Sequence, residues 1–365
     1  MDAGSIPAIS TKKERSFDFV LFFNYLLIQE IRGKIFLGVD KMCTAITLKT
    51  KDFYFGRTLD NGFSYVEQVT VTPRNFGLDF RSGITLKNHL SIIGMAYVQN
   101  DFPLYYDAMN EVGLAMAGLD FPNNAHYGKP IDQKQNIASF ELILWVLAQC
   151  KTVNDARALF EKINITDVPF SDELPTSPLH WMIADSNYSI VVESTRDGVA
   201  IYDNPVGVMT NNPQFFMHLQ RLNDFLHLTP KEPQNNFSNS VNLERYSKGL
   251  GAVGLPGDLT STSRFDRAAF NKCNSVSGDS EKERVGQFFH IICTVEQVKG
   301  ACDLGNGLYN TTIYTSCCNA TKGIYYYTTY SNRCITAVAL NKCDLDGNTL
   351  ECFPLDKEER ITYQN

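Results

Sequence analysis

From residue 43 onward, apolar and polar positions alternate in short runs separated by turn-formers, a pattern that predicts β-strands. The runs fall at Thr44–Leu48, Tyr54–Gly56, Gln68–Thr72, Ser91–Tyr97 and Gly113–Ala117. The period then lengthens. Ser139–Cys150 (SFELILWVLAQC) reads as an amphipathic helix, N-capped by Ser139 with Glu141 in its first turn, and a second helix is expected from Asn154 to Ile163. Strands resume at His180–Ala184, Ser189–Glu193 and Ala200–Asp203. Helices follow at Pro213–Phe225, Ser263–Lys272 and Glu281–Val295, then strands at Thr311–Ser316, Gly323–Tyr330 and Cys334–Leu340. Strands in groups, helices in groups and strands again favour α+β layering over a doubly wound parallel sheet. No repeat and no Pro/Gly/Ser-rich linker divides the chain, and Thr229–Ser240 reads as a surface loop, so residues 43–365 are expected to form one domain.

Residues 1–42 break this pattern. Phe17–Ile31 is an apolar run behind Lys12, Lys13 and Arg15, but Asn24 interrupts it and no small-x-small cleavage site follows before Cys43. The run is too short and too broken to span a membrane. Leu37-Gly38-Val39-Asp40-Lys41-Met42 can be written in codons as TTA-GGA-GTG-GAT-AAA-ATG, a purine-rich ribosome-binding stretch ahead of a start codon. Three readings stand: upstream sequence read in frame, with synthesis beginning at Met42; a propeptide removed before Cys43; and a poor signal peptide.

A formal net charge of -7 argues against nucleic-acid binding, which needs a clustered basic surface. Seven of the ten cysteines lie beyond residue 290, without regular spacing, and Cys317 and Cys318 are adjacent. This placement fits reduced thiols in a cytoplasmic protein better than a disulfide framework. No C-x-x-C or H-x-x-x-H pair suggests zinc, and no metal or organic cofactor is implied.

Cys43 carries the strongest chemical signal. A cysteine at a chain start joins a thiol nucleophile to a free α-amine that titrates near about 7.7–8, so one residue supplies nucleophile and base. Four further segments place polar residues in apolar or glycine-marked surroundings: Gly56-Arg57-Thr58-Leu59-Asp60; Asn110-Glu111-x-Gly113 leading to Asp120; Thr210-Asn211-Asn212-Pro213; and Leu255-Pro256-Gly257-Asp258 leading to Ser263-Arg264. Singly, each has an ordinary explanation as a surface ion pair, a turn or a helix cap.

Together and in this order, they resemble the choloylglycine hydrolase family, which holds bile salt hydrolases and penicillin V acylases among the N-terminal nucleophile hydrolases. The likeness runs from Met42 to the C-terminus. It includes Asn110–Leu114, Leu179-His180-Trp181-Met182, Ile201–Pro205 and Ile324–Tyr330, and leaves residues 1–41 without a counterpart. It implies a four-layer αββα sandwich of two antiparallel sheets with helices outside. It makes Cys43 the nucleophile, Arg57 a positive neighbour favouring its thiolate and Asp60 the acceptor orienting its α-amine. Asn211 becomes an oxyanion donor and Arg264 an electrostatic closure of the cluster.

Asp120 departs from the resemblance. Bile salt hydrolases usually carry Asn there and penicillin V acylases Tyr. The position serves through its backbone N–H, with the carboxylate turned away or paired. Leu59, Phe63, Phe102 and Leu174 are the apolar positions expected to meet a steroid face, though such residues are as often simple packing. The implied substrate is a bile acid conjugated to glycine or taurine. The alternatives are a phenoxyacetyl amide of the penicillin V type, an N-acyl homoserine lactone, and a silent homologue if residues 1–42 are retained. A Cys–His mechanism is the other route for a thiol hydrolase, and none of the six histidines marks itself for that role. The resemblance further implies a homotetramer, with neither nucleic acid nor membrane as partner.

Overall fold

Two antiparallel sheets account for most of the chain's regular structure in the computed structural model, which describes residues 41–365. The strands are β1 (Met42–Lys49), β2 (Phe53–Asn61), β3 (Gln68–Thr72), β4 (Ile92–Gln99), β5 (Phe102–Asn110), β6 (Ala115–Asp120), β7 (Leu179–Ala184), β8 (Ser189–Thr195), β9 (Gly198–Asp203), β10 (Val208–Met209), β11 (Thr311–Asn319), β12 (Ile324–Thr329), β13 (Asn332–Ala339) and β14 (Glu351–Pro354). One sheet runs β10-β1-β2-β11-β12-β13 and the other β9-β8-β7-β6-β5-β4-β3-β14. The helices are α1 (Leu142–Gln149), α2 (Val153–Phe160), α3 (Phe215–Arg221), α4 (Ser261–Asn274) and α5 (Glu281–Cys293).

The layer order follows from which face each strand residue buries. Along β6, Ala115, Ala117 and Leu119 join a core with Cys43, Ala45, Leu59 and the apolar faces of α4 and α5. The intervening Met116, together with Ile183 and Val192, packs instead on α1 through Leu142, Trp145 and Val146. Period-2 alternation thus gives the second sheet two buried faces, one toward the first sheet and one toward α1. The result is the expected αββα sandwich.

Several local expectations change. Ser139 is not the N-cap of the first helix. Ser139–Glu141 form a 3-10 turn that Ala138 precedes, Glu141 stands at the N-cap of α1, and its carboxylate accepts from the Ala138 backbone N–H at 2.9 Å and from Arg81 N at 2.7 Å. The helix after it ends at Phe160, and Ile163 opens a short strand instead. Strand β5 carries no sequence expectation because Pro103 and Asp107 interrupt its alternation, yet it is central in the larger sheet. Pro103 sits at its hairpin end, where a missing donor costs little. Asp107 is buried and takes hydroxyls from Tyr314 (2.6 Å), Ser316 (2.8 Å) and Tyr325 (2.8 Å) across the sandwich.

The Asn110-Glu111-x-Gly113 segment is a structural turn. The Asn110 side chain accepts from Leu114 N and donates to Leu147 O and Cys150 O, tying the turn to the end of α1. Gly113 has φ +93°, where a side chain is strained. The apolar run at 17–31 and the rest of residues 1–40 lie outside the described residues.

Candidate active site

The register of β1 against β2 builds the site. Cys43 pairs with Leu59 and Ala45 with Arg57, so all four side chains share the face between the sheets. Gly56 admits β11 here: a Cβ on it would stand 2.1 Å from Ser316 O. Arg57 donates Nη2 to Cys43 Sγ, Nε to Thr58 O (3.0 Å) and Nη1 to Gly118 O (2.7 Å), and so links both sheets. The thiol is buried. Burial pushes its pKa up; Arg57 opposes this, while the Asp60 and Asp120 charges add to it. Arg57 pulls toward thiolate as expected of a positive neighbour, but it is not the largest influence. Desolvation outweighs it, and the thiol needs a base.

The opposite face of β1 holds the main chain of the same residue. Arg264, on α4, donates Nη1 to Cys43 O (2.5 Å) and Thr44 Oγ1 (2.6 Å), and Nη2 to Asn211 Oδ1 (2.8 Å). Its helix is seated by the Leu255–Asp258 turn. Asp258 accepts from Thr260 Oγ1 (2.6 Å), Ser263 Oγ (2.7 Å) and Thr260 N (2.9 Å), which hold its carboxyl down at about 2.

Asn211 Oδ1 also accepts from Cys43 N at 2.8 Å, and Asn211 Nδ2 donates to Asp120 O at 2.7 Å. One amide hydrogen of Asn211 is committed to that carbonyl, which leaves the second for a developing oxyanion.

Asp60 lies beside this cluster, but its oxygens accept from Thr58 Oγ1 (3.0 Å) and Thr312 Oγ1 (2.6 Å) rather than from Cys43 N. The reason is valence: a peptide nitrogen has one hydrogen, and Asn211 takes it. Burial pushes the Asp60 carboxyl up to about 6 against the pull of Arg264 and its hydroxyl partners. The Asp120 carboxylate is paired, Oδ2 accepting from Lys41 N at 3.2 Å.

Sequence reasoning set the histidines aside, yet two of them hold the Asn211 loop. His180 Nε2 donates to Thr210 O (2.8 Å) and His218 Nε2 to Asn211 O (3.0 Å). Glu193 Oε1 meets His180 Nδ1 (3.1 Å) and accepts from Phe215 N (2.9 Å), and His180 stacks on Phe121 at 4.2 Å. Burial pulls His218 down to about 4, so it is neutral and serves as a donor. A histidine in an apolar strand facing a buried Glu on the adjacent strand carries no linear signal. Neither ring touches the thiol, and the site is assembled without a Cys–His pair.

The model of linear amide C–N hydrolases of the choloylglycine hydrolase family matches residues 43–355. The chain belongs to the choloylglycine hydrolase family. Curated relatives include a bile salt hydrolase/transferase of Lactiplantibacillus plantarum, 50% identical over 89% of this chain and 100% of that one. A second, from Clostridium perfringens, is 38% identical over 89% of this chain and 100% of its own. Among solved structures, a cysteine-to-alanine mutant of the conjugated bile acid hydrolase from Clostridium perfringens superposes with TM-score 0.82 at 37% identity, covering 89% of this chain and 100% of that one. Penicillin V acylase from Agrobacterium tumefaciens shares the fold, with TM-score 0.67 at 19% identity over 85% of this chain and 90% of its own.

In this member of the choloylglycine hydrolase family the four apolar candidates separate. Leu59 is sealed in the core directly across from Cys43, only 2% exposed. Phe63 lies just beyond β2 with its ring 4.8 Å from Tyr65. Phe102 packs with Phe140 and Phe170, centroids 5.8 Å from each, and Leu174 closes a turn on Ser171 next to that cluster. Phe102 thus packs against the core beside α1, whereas Leu59 and Cys43 lie in the core with β1 and β2. All ten cysteines are free thiols. Among the described residues no helix is long and apolar enough to cross a membrane.

Proposed function

We propose that the chain hydrolyses the amide bond joining a bile acid to glycine or taurine, with Cys43 as the attacking residue. The observation that carries this reading is the convergence of Arg57, Arg264 and Asn211 on the side chain, carbonyl and nitrogen of Cys43. It is joined by the 50% identity to a bile salt hydrolase/transferase.

Once residues 1–42 are gone, the Cys43 nitrogen is an amine with a basic lone pair. It takes the thiol proton as sulfur attacks the amide carbonyl, and returns it to the departing nitrogen of glycine or taurine. The oxyanion is met by the uncommitted Asn211 amide hydrogen and by the Asp120 backbone N–H. Asp60, with Arg264 beside it, holds the ammonium form when the proton is in transit. Collapse leaves a thioester to the bile acid, which water attacks to release the free acid and restore the thiol. Phe63, just beyond the strand that carries Arg57 and Leu59, supplies apolar surface for the steroid. Ten free thiols support a cytoplasmic setting, and the family likeness supports a homotetramer.

The test is direct. The chain beginning at Cys43 should release glycine from glycocholate and taurine from taurocholate far faster than it opens the side-chain amide of penicillin V. Preferential cleavage of penicillin V would overturn the substrate assignment. An unchanged rate after Cys43→Ala would overturn the mechanism.

A further inference from the structure

At the far end of β1, six residues and about 20 Å of extended strand from Cys43, lies a cavity of about 560 Å³. Its lining includes four cationic side chains, Lys49, Lys51, Lys272 and Arg284, against the single carboxylate of Asp279. In a chain with a formal charge of -7 this is a local reversal of sign.

Arg284 makes it more than a surface cluster. The residue is 5% exposed, and its Nε has no hydrogen-bond partner among the described residues. Acids around it are engaged elsewhere, Glu283 among them, which accepts from Ser280 N (2.8 Å) and Ser280 Oγ (2.7 Å). Glu281 pairs with Lys322 and accepts from Asn319 (3.0 Å) and Tyr326 (2.8 Å), and Asp52 accepts from Asn319 (3.3 Å) and Tyr54 (3.4 Å). A buried guanidinium Nε without an acceptor is costly unless something outside the chain supplies one. The lysines point the same way. Lys272 uses one ammonium hydrogen on Val206 O and Lys49 one on Ser186 O, both at 2.5 Å, leaving two on each.

We propose that this cavity is a binding site for a phosphate-class oxyanion, free or as the monoester of a small molecule, with Arg284 as its buried anchor and Lys49, Lys51 and Lys272 as its rim. A planar guanidinium donates to two phosphate oxygens at once, and ammonium groups complete the shell. The volume leaves room for an ester substituent. The site is separate from the cluster around Cys43 and does not depend on the substrate assigned there.

The experiment uses the full chain purified in an amine buffer free of phosphate. Melting temperature is followed while inorganic phosphate or glycerol phosphate is titrated against potassium chloride of equal ionic strength. Either anion should raise Tm saturably where chloride does not. A tighter response to glycerol phosphate assigns the site to esters, and an equal one to free phosphate.

Arg284→Met should abolish the response while melting no lower than the parent in phosphate-free buffer, because it removes an unpartnered buried donor. Should that variant not fold, Lys51→Glu, at an exposed position, should weaken binding about tenfold by replacing an attractive charge-assisted contact with a repulsive one. It should leave bile salt hydrolysis unchanged. The proposal is overturned if neither anion shifts Tm beyond chloride. It is also overturned if Arg284→Met lowers Tm without phosphate while retaining the full shift.

Discussion

Retaining the peptide bond ahead of Cys43 should all but silence the enzyme. The nitrogen that donates to Asn211 Oδ1 at 2.8 Å is a peptide nitrogen when Met42 precedes it. Its lone pair is delocalised into the carbonyl and cannot accept a proton. A positioned general base typically contributes about 10²–10⁴-fold, or roughly 3–5.5 kcal/mol of barrier. The thiol cannot make up the loss. An ordinary thiol near about 8.5 is only about 3% thiolate at pH 7, and burial moves Cys43 further from ionisation.

A chain begun at Met42, trimmed to Cys43 and verified by intact mass, should therefore exceed a chain retaining residues 1–42 by at least about 100-fold in kcat/KM on glycocholate. Taurine or glycine release read by mass spectrometry is the assay, with Cys43→Ala as baseline. Equal rates in two preparations whose masses differ by the intact extension would refute the assignment of the base.

Further outcomes follow from the same geometry. Arg57→Met orphans the Thr58 and Gly118 carbonyls, at about 1–3 kcal/mol each, and should lower Tm by roughly 5–15 °C along with kcat; an unchanged melting curve would show that the two sheets do not need this bridge. In the chain retaining residues 1–42, the Asp60 carboxyl titrates at about 6, above its unfolded value near 3.8. A raised pKa means stability fully present below pH 4 and lost as pH climbs through 6. Asp60→Asn should therefore gain about 2.4 kcal/mol on that parent between pH 4 and pH 7, whatever its absolute stability, and chemical denaturation at the two pH values measures it. Asp120→Asn keeps the backbone N–H and removes a charge that opposes the thiolate, so kcat/KM should hold or rise; a drop of about 100-fold would give the carboxylate a catalytic role. His180→Leu leaves Glu193 buried without its imidazole and frees Thr210 O, so kcat should fall about 10-fold or more with KM little changed; an equal rise in KM would point to the substrate pocket instead.

Much of the site was readable because the residues gripping Cys43 sit on marked segments. Arg57 and Asp60 follow a glycine that the sheet needs for close approach, Asn211 opens a turn, and Arg264 follows a helix-seating Asp. Their partners were not readable. Thr312 reaches Asp60 across 252 residues and His180 reaches Thr210 across 30, while Thr58, His218 and Glu193 sit at ordinary strand or helix positions, and no linear pattern states these contacts. Strand β5 escaped notice because a buried Asp107 satisfied by two tyrosines and a serine looks polar in one dimension and belongs to the core in three. The Asn110 turn erred the other way: its polar residues are conspicuous, yet they serve the end of α1. The four apolar candidates were chosen by nearness to motifs, which cannot tell a core residue such as Leu59 from a ring in the Phe102 patch.

Strand β1 begins one residue before the nucleophile, with Met42 paired to Asp60 and Lys41 N held by Asp120. A peptidase cuts a segment it can draw out, whereas here the bond to be cut is already zipped into a sheet. If Cys43 is freed after synthesis, the cut has to come while the nascent chain is still loose, or from groups the sandwich itself brings to that bond. Strand pairing would then set the calendar of maturation.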